Sequence, residues 1–272
     1  MIQTLPKGQP VWGVTSLDNH LYVLCGYQSF DQIEVYDITS YQLLRWLTVP
    51  GLSEMTAVDI VACGHNRCAY ISDHVHNLVH RVSLSDDTVT QWPVGDKPSR
   101  LSLTQTRGVL VLCRGVRKIK EFSSEGLLLH ELSLPQEVVK PWHAIQLSSG
   151  QFIVCHGGLN EQIHRVCLIG SDGNVVKSYG GPKGSASQQM NVPVHMAVDR
   201  NEFVFVVDIN NRRVLLLSPE LTYVREVVSS EQFTFKPSTF HLDCDRDRLY
   251  VADNEYVNGR AVAGQLIVFG TS

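Results

Sequence analysis

Residues 193–217 read PVHMAVDRNEFVFVVDINNRRVLLL. A proline opens the stretch, and three apolar runs follow (VHMAV, FVFVV, RVLLL), separated by DRNE and DINN. Short runs of β-branched and aromatic residues bounded by Asp and Asn read as strands joined by tight turns. YVREVV, residues 223–228, supplies a fourth run, so this part of the chain is a four-strand unit.

The unit recurs in both directions. PSRLSL, GVLVLCRG, RKIKEF and LLLHELSL follow Pro98 in the same order, and PWHAIQL, QFIVCHG, HRVCLIG and NVVKSYG follow Pro141. Prolines 10, 98, 141, 193 and 237 are separated by 88, 43, 52 and 44 residues. One repeat therefore lacks its proline, and its start falls near Met55 in LSEMTAVDI. Four strands in roughly 40–50 residues is the signature of a propeller blade, and long 3.6-period segments are absent. The expectation is an all-β, six-bladed β-propeller forming one domain over residues 1–272, with blades at 9–52, 53–96, 97–139, 140–191, 192–235 and 236–272.

The ends bear on closure. After Pro237 only three strands remain (FHLD, RLYVAD, QLIVFG), whereas MIQTLPKGQPVWGV aligns with TVTQWPVGDKPSRL, the end of one unit and the start of the next. Residues 1–8 are thus expected to complete the last blade and close the ring, which removes an exposed sheet edge. GGPKGSASQQM, residues 180–190, accounts for the long spacing and is expected to be a flexible loop leaving blade four.

Composition narrows the class. With 43% hydrophobic and 18% charged residues the chain reads as an ordinary globular protein. Its apolar runs are strand-length, far short of the roughly 20 residues that span a bilayer, and MIQTLPKG lacks the apolar core of a secretory signal. Seven cysteines without a Cys-x-x-Cys predict reduced thiols and a cytoplasmic protein.

The pattern Pro-x-x, then a short apolar strand ending in Val-Asp, then Asn-Arg-Arg-Val, best developed in the stretch quoted first, resembles an NHL repeat. The whole chain resembles the C-terminal NHL propeller of tripartite-motif (TRIM) proteins. That resemblance implies a recognition domain that binds RNA or proteins on one broad face. It also implies RING and B-box zinc modules in a longer parent chain as the source of any ubiquitin-ligase activity. No segment here has the Cys/His spacing of such modules.

Up-and-down connectivity brings the loop into the first strand and the loop between strands two and three to the same face. Counting two residues beyond each blade-leading proline, or its equivalent, gives a first column of Trp12, Thr56, Arg100, His143, His195 and Thr239. The end of the second strand gives Gly26, Asp73, Arg114, His156, Asp208 and Asp253. Asp is the family's usual choice at the second position and is expected to tie the turn through backbone N–H groups. Blades three and four depart from it, and the segment CRGVRKIK, residues 113–120, carries four cations and no carboxylate although the whole chain is −4.

Three functions follow from this face. Single-stranded RNA binding would use Arg100, Arg114, Arg117, Lys118 and Arg212 for phosphates. Trp12, Trp142, Tyr27, Phe30 and the histidines His143, His156 and His195 would stack on bases. Protein recognition would use the same arginine and aromatic anchors. An enzyme is disfavoured: metal-dependent propeller hydrolases and lyases need convergent carboxylates or several histidines, and the first column as counted offers two histidines and no carboxylate. The reading is therefore a non-catalytic recognition module with no cofactor, no metal and no membrane partner. DHVHNLVH, residues 73–80, has metal-like spacing but is expected to send its side chains to alternate faces. Cys25, Cys113 and Cys155 share one small, buried repeat position, and Arg81, Lys118, Arg165 and Arg213 occupy the signature basic position, expected to make interblade contacts.

Overall fold

The apolar runs quoted above form strands in the computed structural model, which describes residues 1–26, 31–52 and 56–271. Tyr27, Phe30 and Met55 lie outside the described residues. In chain order the strands are β1 (Gln3–Pro6), β2 (Val11–Leu17), β3 (His20–Gly26), β4 (Asp31–Asp37), β5 (Leu43–Leu47), β6 (Ala57–Cys63), β7 (Cys68–Asp73), β8 (Leu78–Ser83) and β9 (Val89–Pro93). Next come β10 (Leu101–Leu103), β11 (Val109–Cys113), β12 (Lys118–Phe122), β13 (Leu128–Ser133), β14 (Pro141–Gln146), β15 (Phe152–His156), β16 (Ile163–Ile169) and β17 (Val175–Pro182). The chain ends with β18 (Pro193–Val198), β19 (Val204–Asp208), β20 (Arg213–Leu217), β21 (Tyr223–Val228), β22 (Lys236–Asp243), β23 (Arg248–Val257) and β24 (Arg260–Gly270).

They assemble into six four-stranded antiparallel sheets, five of them consecutive quartets and the sixth ordered β1-β24-β23-β22. The fold is a six-bladed β-propeller, and the N-terminal strand completes the last blade as the end-to-end alignment predicted. Gln3 to Pro6 pair with Val268 to Gln265, and the Ile2 and Lys7 amides extend that ladder to the Val268 and Gly264 carbonyls.

Contacts group the chain into two compact units, Met1–Leu101 with Thr239–Ser272, and Ser102–Ser238. Within each, burial falls from the inner strands outward. β19 (VFVVD) is buried along its whole length, whereas β21 (YVREVV) and β13 (LLHELS) are mostly exposed. A strand covered on both faces reads as a continuous apolar run, which is why the second strand of each blade carries the strongest signal. In the second unit one cluster joins Leu110, Leu112 and Ile119 to Ala144, Val154 and Cys167, and another joins Cys155 and Val166 to Met196, Val206 and Leu215. In the first unit Leu24 and Ile33 pack with Ile60 and Ile71, and Val14 and Val23 with Tyr250 and Leu266.

Register corrects both columns. Leu24↔Ile33, Ser72↔Val79, Leu112↔Ile119, Cys155↔Val166 and Val207↔Val214 are one rung. The next residue along each strand is Cys25, Asp73, Cys113, His156 and Asp208, so Cys25 and Cys113 stand where Gly26 and Arg114 were expected. Cys113 therefore does not share the position of Cys155. A cysteine reads as the last apolar residue of a strand, and only the ladder shows that it opens the turn. The first strands of blades one, two, four and five bulge, leaving Trp12, Val58, Trp142 and Val194 unpaired between Val11/Gly13, Ala57/Asp59, Pro141/His143 and Pro193/His195. Gly13 and Asp59, not Trp12 and Thr56, are thus the counterparts of His143 and His195.

The segment after blade four is also more ordered than a free loop. Gly180, Gly181 and Pro182 belong to β17, opposite Arg165, His164 and Ile163. Met190 is fully buried, and Gly184 is held by the Asn211 side chain, whose amide donates to its carbonyl at 2.9 Å.

Candidate functional site

The second unit gathers most of the expected residues at the loops that lead into β14 and β18 and out of β11, β15 and β19. The bulge at Trp142 frees its side chain from the ladder, and its Nε1–H donates to the Gly157 carbonyl at 2.9 Å. Arg114, first in the turn after β11, lays its guanidinium 3.4 Å above the Trp142 ring. The indole attracts that cation through its quadrupole, and both side chains remain partly exposed.

Arg117 closes the same turn with φ +54°, in the left-handed region, as do Asn77 in blade two and Arg212 in blade five. Asn tolerates this conformation; for arginine it costs on the order of 1 kcal/mol. The Arg212 guanidinium donates to the Phe233 carbonyl. No hydrogen bond or ion pair of the Arg117 side chain is found among the described residues. Lys118 is neutralised by Glu131, Nζ to Oε1 2.6 Å, and that ion pair holds the Glu131 carboxyl below its usual range.

His143 and His195 stack face to face, centroids 4.2 Å apart at 19°. They are 2% and 7% exposed, so they are buried and not on the surface where base stacking was expected. The Met196 amide donates to His143 Nδ1 at 3.1 Å, which leaves the ring proton of neutral His143 on Nε2. His156 lies deeper, 1% exposed. Burial pushes its pKa down to about 4, against the opposing effect of a hydrogen bond with the Val139 backbone. It is neutral at physiological pH and buried, not on the face where stacking on a base was expected.

Trp12 and Arg100 belong to the first unit. Arg100 Nη1 donates to the carbonyls of Trp12 and Val58, both at 2.9 Å, and lies 3.4 Å from Asp59 Oδ1. Its side chain is 12% exposed, so this cation is a strut inside the unit. Asp59 also accepts the Leu101 amide at 2.9 Å. The first column thus does contain a carboxylate, contrary to the count from prolines, and blade two hid it because no proline marks its start.

Trp12 explains one glycine, and the neighbouring strand another. A Cβ on Gly26 would fall 2.3 Å from Trp12 Nε1. Gly157, in the equivalent position after His156, has φ +113°, and a Cβ there would fall 2.7 Å from the Ile163 carbonyl. The other blades have Val58 and Val194 in the bulge, with His74 and Ile209 opposite. A bulge tryptophan and a glycine after the second strand go together.

DHVHNLVH also behaves differently from its reading. Asp73 Oδ2 receives His76 Nδ1 at 2.8 Å and lies 3.4 Å from His80 Nε2, while Oδ1 accepts the Val75 and His76 amides. The turn curls back on its own carboxylate, so side chains expected on alternate faces converge. Of the signature cations, Arg213 ties blade five to the preceding loop through Asp208 at 3.0 Å and the Gln189 carbonyl at 2.8 Å.

No family model matches the chain. No curated protein matches it either. Solved structures do. Virginiamycin B lyase from Staphylococcus aureus superposes with a TM-score of 0.66 at 10% identity, covering 98% of this chain and 87% of that one. A protein of unknown function from Bacteroides caccae gives 0.68 at 13% identity, covering 93% and 91%. Kuenenia stuttgartiensis hydrazine synthase gives 0.67 at 12% identity, covering 98% and 97%. At these identities the likeness establishes the six-bladed propeller fold alone.

Proposed function

We propose that the chain is a recognition module of the NHL type whose face on blades three to five binds single-stranded RNA. The observation that carries this reading is the Arg114–Trp142 stack, flanked by Arg117. A guanidinium seated over an indole pairs an arginine with an aromatic ring, and single-stranded RNA is recognised by stacking on aromatic rings and arginine planes. Arg117 supplies charge for an adjacent phosphate. The face acts by binding.

Binding of a randomised single-stranded RNA pool at two salt concentrations tests the reading. Sequence-selective binding that weakens with salt, by about −0.7 in log–log slope per phosphate neutralised, and that is lost in Arg114→Glu/Arg117→Glu, supports it. A folded wild-type protein that retains no RNA overturns it.

A protein ligand is the second reading, and a specific observation favours it. Val116 and Leu159, in the turn after β11 and the loop after β15, are 46% and 64% exposed. Apolar side chains beside an arginine–tryptophan anchor suit a peptide better than a phosphate backbone.

A further inference from the structure

Among the seven cysteines, the fold sets one pair directly opposite each other. Cys63 ends β6 and Cys68 begins β7, and the two are partners in the antiparallel ladder that joins these strands. No other two cysteines are ladder partners among the described residues. Opposed residues in such a ladder send their side chains to the same face, with Cα atoms roughly 4.5–5.5 Å apart and Cβ atoms at a similar distance. A disulfide takes Cα separations of about 4.4–6.8 Å and Cβ separations of about 3.5–4.5 Å. The backbone is therefore in range, and a closing of about 1 Å at Cβ brings the sulfurs together. Both thiols are free.

We propose that Cys63 and Cys68 are a reversible redox pair, closed to a disulfide by a peroxide and reopened by a thiol reductant. The Cys63 sulfur attacks one peroxide oxygen, the O–O bond breaks, and the leaving hydroxide takes the thiol proton as water. Cys63 is then a sulfenic acid. The Cys68 sulfur attacks the Cys63 sulfur, the S–O bond breaks, and the departing hydroxide leaves with the Cys68 proton as a second water. Two electrons pass from the two thiols to one peroxide.

The surroundings select the oxidant. Cys63 is 3% exposed and Cys68 fully buried, which admits a molecule the size of peroxide rather than a peptide disulfide. The pair sits beside a turn whose Gly64, His65 and Arg67 are exposed to solvent. Burial raises the Cys68 thiol above its ordinary value, and Tyr70 and Arg81 beside it oppose the rise. Arg81 Nε is itself buried without an acceptor among the described residues, so unused positive donor capacity lies near this sulfur.

The short turn also argues for switching rather than stapling. A disulfide restricts the unfolded chain less the shorter the loop it closes, and only residues 64–67 lie between these cysteines. A bond that draws two side chains inward is strained and correspondingly easy to reduce.

Trypsin cuts after Arg45, Arg67 and Arg81, so the disulfide joins peptide 46–67 to peptide 68–81. The folded protein is treated with excess hydrogen peroxide until Cys244, the one partly exposed cysteine among the described residues, has reacted. It is then alkylated in denaturant and mapped without reduction. Expected is the linked pair of peptides as the main product, with both thiols restored by dithiothreitol. In Cys63→Ser the loss of the Cys68 thiol should slow by at least about 10-fold, since its partner is gone. Wild-type protein in which Cys63 and Cys68 both remain alkylatable when Cys244 has reacted overturns the proposal. So does oxidation of either one to a sulfinic acid without linkage, or equal loss of the Cys68 thiol in folded Cys63→Ser.

Discussion

The guanidinium of Arg114 lies 3.4 Å above the ring of Trp142, and that ring is itself anchored through Nε1 to the Gly157 carbonyl. The two residues come from successive blades, 28 positions apart in the chain, so the contact couples the blade-three turn to the bulge of blade four. Partly exposed cation–π pairs contribute about 0.5–2 kcal/mol. A double-mutant cycle on Arg114→Ala and Trp142→Ala, measured by urea denaturation, should return a coupling energy in that range. Single and double variants that are simply additive would show the stack to be incidental.

Gly157→Ala should be severe. Its φ of +113° and the 2.7 Å approach of the Ile163 carbonyl are both incompatible with a Cβ, and such strain costs about 1–3 kcal/mol. Gly115→Ala, where nothing lies within 4 Å, should stay within about 0.5 kcal/mol of wild type. Thermal melts of the two variants side by side provide the check.

Arg117→Asn separates stability from binding. Asn accepts the left-handed backbone that Arg117 adopts at φ +54°, so the variant should be as stable as wild type or more so, by up to about 1 kcal/mol. If Arg117 serves the ligand, RNA affinity should fall and the salt slope should shrink by about 0.7. An unchanged slope would remove Arg117 from the interface.

Acidification should destabilise the fold through His156. Burial lowers its folded pKa to about 4, while the unfolded chain titrates near 6.5. Between those values the unfolded state binds more protons, so stability falls as pH drops from about 6.5 to 4, by at most about 3 kcal/mol from this group. His156→Leu should flatten that stretch of the stability–pH curve; a profile identical to wild type would assign the slope elsewhere.

Deleting residues 1–8 should leave β24 as an unpaired edge and strand Glu34. Lys7 Nζ lies 2.9 Å from Glu34 Oε2, with the two side chains only 2% and 9% exposed, and removing one member of such a pair costs about 3–5 kcal/mol. The truncated chain should melt well below wild type and associate through its free edge. Light scattering together with calorimetry would detect both.

The fold was legible because its signal is local and repeated. FVFVV, GVLVLC and QFIVC each announce a strand buried on both faces, and six copies at near-constant spacing leave few alternatives to a propeller. Residues 1–8 were placed in the last blade by alignment alone, because the missing strand had to come from the other end. Register was not legible to one residue. Cys113 continues an apolar run in composition yet opens a turn in the ladder, and the first-strand bulges shift Gly13 and Asp59 relative to any count from proline. The sequence could name Arg114, Trp142, His143 and His195 as residues of interest, but residue type does not tell a surface cation from a strut. Arg100 and Arg114 look alike in one dimension. Only packing turns Arg100 inward onto two carbonyls and Asp59 and lays Arg114 on an indole. Cys63 and Cys68 gave no Cys-x-x-Cys signal, and only the ladder sets them opposite each other on one face. Local pattern therefore determined the strands and their number, whereas side-chain direction and long-range juxtaposition, which no periodicity encodes, were decided by the tertiary structure.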